Sequence, residues 1–231
     1  SKGKDTFKSS FYGIDGKKKE LPNNDAVKEV LAKIDKRKNF EVENVVSRQR
    51  RRQPAAPFTT STMQQEANKR LGYRTRRTMS IAQQLYEGIS LGKEGTVGLI
   101  TYMRTDSKRT SPVAQQEASK FLHENYGAEF AAKSQRHFKN QEDAQDAHEA
   151  IRPTSVYRTP ESLKSVLTTE QYRLYKLIWS RFLASEMTPA VYDTVRADIV
   201  QNGVMFRTTG SKMKFPGFTK VYDNQQEKSV D

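Results

Sequence analysis

Strand signals at both ends of the chain, on either side of a helical middle, constrain the fold more than any other feature. Near the start, β-branched and aromatic residues predict strands over residues 7–14 and 40–47. Near the end, residues 191–200 and 204–208 repeat this pattern. Asn202-Gly203 between them is a strong hairpin signal, because both residue types accept the positive φ of a tight turn. Both ends of the chain are therefore expected to contribute strands.

The middle of the chain carries helical signals instead. Ser111-Pro112, for example, combines a capping residue with a proline at the first helical position. We therefore predict an α+β fold, in which a β-rich domain built from residues 1–60 and 189–231 carries an inserted helical domain of residues 61–188. A further short strand is predicted at residues 219–222.

The longest predicted helix, which opens at Thr168 or Thr169, carries a broad apolar stripe. Its members are Tyr172, Leu174, Tyr175, Ile178 and Phe182, with Trp179 beside them. At this helical spacing the stripe is more typical of a buried core than of a surface that stacks nucleobases.

The charge balance favours a polyanionic partner. The chain has 231 residues, with 40 Lys and Arg against 27 Asp and Glu, and a net charge of +13. This excess indicates nucleic acid before a membrane surface. No stretch reaches the roughly 18 apolar residues of a membrane-spanning helix, and residues 1–5 contain no apolar signal core. The lack of Cys fits a cytosolic protein and, with three widely spaced His, argues against a thiolate- or histidine-built metal site.

Two basic clusters are open to two interpretations. The first cluster consists of Arg48, Arg50, Arg51 and Arg52, and the second consists of Lys69, Arg70, Arg74, Arg76 and Arg77, with Tyr73 among them. Each is either a surface that faces phosphates or a solvated strand end, helix face or loop, since basic runs are common on protein surfaces.

The segment from Gly98 to Ser107 is the most informative for chemistry. A short apolar run delivers Tyr102 into a polar stretch that contains Arg104 and Asp106. A tyrosine hydroxyl has a reference pKa of about 10 and is a poor nucleophile unaided. A neighbouring guanidinium can stabilise a phenolate and neutralise a phosphodiester. On pattern alone, a structural tyrosine remains the simpler interpretation.

Several motifs together resemble one family. Residues 98–107 are similar to the active-site tyrosine motif of the bacterial type IA DNA topoisomerases. Other stretches resemble the same family in the same order. They are residues 56–67, similar to the entry into the tyrosine-bearing domain, residues 78–88, similar to the helix before the tyrosine, the histidine motif at residues 146–154, and residues 187–190 and 215–218. The resemblance covers nearly all of the chain beyond residue 54 and is looser before it.

The resemblance assigns roles by position. Tyr102 would attack a single-strand phosphodiester and retain the 5′-phosphoryl end, and Arg104 would contact the scissile phosphate. His148 would support that phosphate or a neighbouring one. Asp106 would help organise the pocket through a basic residue of another domain. Arg152 is interpreted as structural or phosphate-binding, with no preference between the two.

The resemblance also implies what the whole protein does and what this chain omits. A type IA topoisomerase passes a strand through the break, reseals it and relaxes negative supercoils without ATP. Its Mg²⁺ and a glutamate acid/base belong to a Toprim domain, and no Asp-x-Asp signature of that domain occurs here. The chain would correspond to the arch (second) and tyrosine (third) domains, without the Toprim and DNA-groove domains. It would be catalytically incomplete by itself and belong to a cytoplasmic, nucleoid-associated protein with no membrane partner.

Two other classes compete with this interpretation. One is a non-catalytic module that binds single-stranded DNA through the second basic cluster, which includes Tyr73. The other is a different tyrosine enzyme, either a recombinase, which needs several Arg and His around the tyrosine, or a relaxase, which needs a His-rich metal site. The three His of the chain disfavour the relaxase.

Overall fold

A computed structural model describes residues 6–139 and 148–222 of the chain. Asp146 and Ala147 of the histidine motif, and the chain ends assigned to the β-rich domain (1–5 and 223–231), lie outside the described residues. The chain divides into two compact units. The first unit runs up to Arg52 and includes Val191–Phe215, and the second contains Gln53–Ala190 and the residues from Pro216 onward.

The elements follow one another as strands, helices and strands. The strands are β1 (Ser10–Ile14), β2 (Lys17–Lys18), β3 (Glu41–Arg52), β4 (Ile89–Ser90), β5 (Thr96–Val97), β6 (Ala190–Gln201) and β7 (Val204–Phe215). The helices of the described residues are α1 (Asn24–Lys33), α2 (Thr60–Leu71), α3 (Thr75–Glu87), α4 (Pro112–Asn125) and α5 (Thr169–Ser185). Short 3-10 helices cover Gly92–Glu94, Ala128–Phe130 and Gly217–Lys220. This mixture confirms the α+β class, and none of the described helices is long and apolar enough to cross a membrane.

The first unit is built on a five-stranded sheet in the order β2-β1-β7-β6-β3. Strands from before the helical middle and strands from after it therefore share one sheet. The predicted hairpin is confirmed: Asn202 and Gly203 have φ values of 47° and 76° between the paired residues Gln201 and Val204. Asp15 donates its backbone N–H to the Gly203 carbonyl at 2.8 Å, which ties the β1–β2 turn to the β6–β7 turn.

The second unit holds a hydrophobic core around α5. Thr168 and Gln171 form a reciprocal capping box that starts this helix. Leu174, Tyr175 and Phe182 are almost completely inaccessible to solvent, which confirms the predicted stripe as core. Trp179 is also buried, and its indole N–H donates to the Val156 carbonyl at 2.9 Å. The helix α4 starts at the predicted cap, with Ser111 accepting from a backbone N–H of the first turn.

The segment after β7 differs from the sequence prediction. The strand expected at residues 219–222 is wrong, because Gly217–Lys220 is a 3-10 helix. Phe218 is buried in the second unit, and its backbone N–H donates to the Thr188 carbonyl at 3.0 Å. Gly217 has φ +48° and lies so close to the Pro189 carbonyl that an added Cβ would be 2.4 Å from the oxygen.

The two compact units differ from the predicted domains at three places. The second unit begins at Gln53 rather than after residue 60, it continues to Ala190 rather than to residue 188, and it takes the residues from Pro216 onward out of the predicted segment 189–231. Phe58 explains the earlier boundary, since its side chain is fully buried and its carbonyl accepts from the Ile151 N–H at 2.8 Å.

Candidate active site

Residues 99–101 pair with residues 150–154, the second half of the histidine motif. The Thr101 N–H donates to the Arg152 carbonyl at 2.9 Å, and the Thr101 hydroxyl donates to the Ala150 carbonyl at 2.8 Å. The Thr154 N–H donates to the Leu99 carbonyl at 2.9 Å. This pairing spans about fifty residues of sequence and brings the tyrosine and histidine motifs together.

The start of α2 fastens the other side of the tyrosine segment. Thr60 donates its backbone N–H to the Thr105 carbonyl at 2.9 Å and its hydroxyl to the Met103 carbonyl at 2.7 Å. The Thr105 N–H returns to the Thr60 hydroxyl at 2.8 Å. The backbone immediately after Tyr102 is thus held at a helix N-terminus by the backbone N–H and the hydroxyl of Thr60.

The tyrosine segment alternates between buried and exposed residues. Met103, Thr105 and Ser107 are buried, whereas Tyr102, Arg104 and Asp106 are exposed. The backbone bends at Met103 and Arg104, so this alternation is not that of a regular strand. It nevertheless exposes the phenol, the guanidinium and the carboxylate to solvent.

These three side chains line one cleft with His148. The cleft has a volume of about 600 Å³ and is also lined by Thr60, Ser61 and Thr105. The structure thus brings together four of the five residues that sequence reasoning proposed. Thr60 and Ser61 were missed as site residues; their only signal was their place in the polar run after Pro57.

Arg152 does not line this cleft. Its guanidinium Nε donates to Glu149 Oε2 at 2.6 Å, and a terminal nitrogen donates to the Pro153 carbonyl at 3.0 Å. Although burial acts to raise the pKa of Glu149, the hydrogen bond and charge of Arg152 hold that pKa below its usual value. This geometry favours the structural interpretation of Arg152 over the phosphate-binding one.

The side chains of Arg104 and Asp106, by contrast, are available to bind a group outside the described residues. Within residues 6–139 and 148–222, neither side chain forms a hydrogen bond or an ion pair. An exposed guanidinium without an internal partner presents all five of its N–H donors to solvent. The cleft can therefore accept an anionic group with two acceptor oxygens, such as a phosphate.

The Tyr102 ring contacts two other aromatic rings. Its centroid is 5.4 Å from that of Tyr86, at an interplanar angle of 63°, and 5.6 Å from that of His148, at 41°. Tyr86, at the end of α3, was not among the residues singled out from sequence. No signal near residue 86 indicated this contact, because it joins residues that are sixteen positions apart.

No metal site is formed by the residues that the structure describes. Among them, no group of three His, Cys, Asp or Glu side chains lies close enough together to hold a metal ion. The Mg²⁺ that the family resemblance implies does not fit this cleft, because Asp106 is the single carboxylate among its lining residues.

Comparison with known proteins supports the same family as the motifs. A family model described as DNA topoisomerase matches residues 3–231. Among solved structures, full-length topoisomerase I from Thermotoga maritima matches with a TM-score of 0.74 and 40% sequence identity. The match covers 92% of this chain and 34% of the Thermotoga protein, so the chain spans about a third of that protein's length. The chain belongs to the bacterial type IA DNA topoisomerase family.

Proposed function

We propose that the protein containing this chain cleaves one DNA strand through Tyr102, passes a strand through the break and reseals it, relaxing negative supercoils without ATP. One observation carries the proposal. Tyr102, Arg104 and Asp106 are exposed and line a single cleft with His148. Such a cleft offers a nucleophile and phosphate-binding donors within one substrate-sized space.

In the cleavage step, Tyr102 forms a covalent bond to phosphorus. Its hydroxyl loses a proton, and Oη attacks one phosphodiester. The bond from phosphorus to the 3′-oxygen of the preceding nucleotide breaks, and that oxygen takes up a proton. The 5′-phosphoryl end remains on Tyr102 as a phosphotyrosyl ester. Because this ester retains the energy of the broken bond, resealing by the reverse attack needs no ATP.

Arg104 and His148 would stabilise the charge that develops on the phosphate. Arg104 is exposed in the cleft and forms no ion pair among the described residues, so it need not break an internal contact before it binds phosphate oxygens. The His148 ring lies beside the Tyr102 ring and can donate a hydrogen bond to the same or a neighbouring phosphate. Asp106 would orient a basic residue contributed by another domain.

The chain supplies only part of the chemistry. Arg104 cannot protonate the leaving 3′-oxygen, because a guanidinium stays protonated at any working pH. We therefore infer that a Toprim domain elsewhere in the protein supplies the acid. That domain would also hold Mg²⁺, which when bound neutralises phosphate charge. The chain alone would bind DNA but form no covalent adduct, and the complete protein would act on DNA in the cytoplasm, at the nucleoid.

The test is adduct formation on denaturing gels with 5′-labelled and 3′-labelled single-stranded oligonucleotides. The complete protein should form an adduct that carries the 3′ label, since the tyrosine keeps the 5′-phosphoryl end of the downstream strand. Tyr102→Phe should abolish the adduct. Tyr157→Phe is the matched control, because Tyr157 is similarly exposed (42% against 37%) and does not line the cleft.

The outcomes separate the parts of the proposal. An adduct that persists in Tyr102→Phe would rule out this nucleophile. An adduct formed by the isolated chain, with or without Mg²⁺, would overturn the inference that its site is incomplete.

A non-catalytic role in binding single-stranded DNA is the second candidate. The exposure of Arg48, Arg50 and Arg51 on β3, in a chain of net charge +13, favours it. It predicts that the complete protein binds oligonucleotides in a salt-dependent manner but forms no adduct, so the same gels distinguish the two functions.

A further inference from the structure

We propose that Tyr86 is a positioning residue for Tyr102, holding the phenol ring in the orientation from which its oxygen reaches a phosphate in the cleft. The inference rests on the proposed function, since the orientation of Tyr102 matters for catalysis only if Tyr102 is the nucleophile. Tyr86 does not line the cleft, so it would act through the Tyr102 ring rather than on DNA.

The side chain of an exposed tyrosine is not held in one orientation by surrounding core residues. Tyr102 is 37% exposed, and an exposed side chain changes between staggered rotamers on a picosecond-to-nanosecond timescale. Attack in line with the leaving oxygen requires one of these orientations. A neighbouring group that favours that orientation therefore raises the fraction of productive encounters.

The contact with Tyr86 has a geometry suited to this task. The centroid separation of 5.4 Å and the interplanar angle of 63° describe an edge-to-face arrangement, in which the positive edge of one ring meets the negative face of the other. His148 flanks the Tyr102 ring at 5.6 Å, at a more tilted angle of 41°. Tyr86 and His148 together border the ring, and of the two only His148 also lines the cleft.

Tyr86 can hold its neighbour because its own backbone is fixed to the tyrosine segment. The Leu99 N–H donates to the Leu85 carbonyl at 2.8 Å, and both side chains are fully buried. Gly98 approaches the Tyr86 carbonyl so closely that an added Cβ would lie 2.7 Å from the oxygen. These backbone contacts fix the backbone positions from which the two rings project. Tyr86 is itself 41% exposed, so the edge-to-face contact restricts the two side chains together.

The contact uses the ring and not the hydroxyl of Tyr86. No hydrogen bond from this hydroxyl occurs within the described residues. Phenylalanine should therefore replace Tyr86 without loss, whereas alanine and leucine should not, because both lack the aromatic edge. Leucine also retains apolar volume and helix propensity, so it separates the loss of the ring from damage to α3.

The experiment measures single-turnover adduct formation by the complete protein at saturating oligonucleotide, together with oligonucleotide affinity. Tyr86→Ala and Tyr86→Leu should each slow cleavage about three- to tenfold, the range expected for one aromatic pair, with affinity unchanged. Tyr86→Phe should cleave at the wild-type rate. The control is Tyr157→Ala, which removes a similar edge-to-face contact, with Phe121 at 5.3 Å, away from the cleft. It should leave the cleavage rate within about twofold of wild type.

Three results would overturn the proposal. They are wild-type rates in both Tyr86→Ala and Tyr86→Leu, a rate for Tyr86→Phe as slow as that of Tyr86→Ala, and a loss of affinity with an unchanged rate. Tyr102→Phe measured in parallel separates this failure from that of the proposed function. If Tyr102→Phe still forms the adduct, the nucleophile is wrong. If it does not while every Tyr86 variant is fast, only the positioning role is wrong.

Discussion

The two units of the chain are stabilised in different ways. Among the described residues, the buried hydrophobic side chains of the first unit are Val30, Ile199, Val204 and Met205, whereas the second unit contains all of the largest fully buried ones. The first unit relies instead on a strand ladder and on polar contacts, which include the ion pair of Asp198 with Arg207 at 2.6 Å. The candidate active site lies on the unit with the dense core, where backbone positions are held most firmly.

The largest effect that would test this contrast comes from the core of the second unit. Phe182→Ala should lower the free energy of unfolding of that unit by about 3–5 kcal/mol, because it leaves a cavity in a packed core. Trp179, the single tryptophan of the chain, lies in this unit and reports its unfolding by fluorescence in denaturant. Ile199→Ala in the first unit should leave the Trp179 transition nearly unchanged. Equal shifts in both variants would mean that the two units unfold as one.

A somewhat smaller effect should come from pH. Glu186 is buried, and burial raises the pKa of its carboxyl to about 7, although the Arg136 charge acts in the opposite direction. An unfolded glutamate titrates near pH 4.3, so the folded state holds this proton more tightly, and ionisation removes stability as the pH rises from about 4.3 to about 7. Glu186→Gln cannot ionise. Relative to wild type it should gain up to about 3 kcal/mol between pH 5 and pH 8, measured by the same Trp179 unfolding transition.

The first unit supplies a control of opposite sign. The hydrogen bond from Arg207 holds the pKa of Asp198 below its usual value. The ionised carboxylate therefore stabilises the fold when the pH is above the pKa of an unfolded aspartate, and this stabilisation is lost as the pH falls through the lowered pKa of the folded state. Asp198→Asn should therefore weaken the amide-exchange protection of β6 and β7 at neutral pH and less so in acid.

For the second unit, a stability difference between Glu186→Gln and wild type that is the same at pH 5 and pH 8 would contradict the assignment to Glu186.

The smallest expected effect concerns DNA binding by the first unit. Arg48 and Arg50 are exposed near the end of β3 and, being two positions apart, lie on the same side of the strand. If both face phosphates, changing them to Gln should reduce the slope of log affinity against log salt by about 1.4 on single-stranded DNA, because each phosphate that an arginine neutralises contributes about 0.7. The same two changes at Lys17 and Lys18 of β2 remove equal charge at exposed positions elsewhere in the sheet. Equal slopes in the two double variants would mean that total charge, and not the arginine run, determines binding.

Sequence reasoning succeeded where local chemistry decides the structure. Asn202-Gly203 forms a turn because these residues accept positive φ, and Ser111-Pro112 starts a helix because the cap and the fixed φ of proline act within one turn.

Sequence reasoning failed where contacts between distant segments determine the structure. Thr60 enters the cleft because its hydroxyl binds the backbone of residues 103 and 105, and Tyr86 contacts Tyr102 because the Leu99 N–H binds the end of α3. The strand predicted at residues 219–222 has β-branched and aromatic residues, but burial of Phe218 against the second unit favours a 3-10 turn. Local propensity cannot anticipate such tertiary contacts.

The alternating segment also determines what kinds of change the site tolerates during evolution. A substitution at one exposed position alters one side chain, whereas an insertion or deletion of one residue within 102–106 would exchange the exposed and the buried positions of the segment. Met103 would then face water, and Arg104 would face the core. The spacing of these residues is therefore constrained together with the identity of Tyr102, and homologous sites should vary at the other exposed positions before they vary in length.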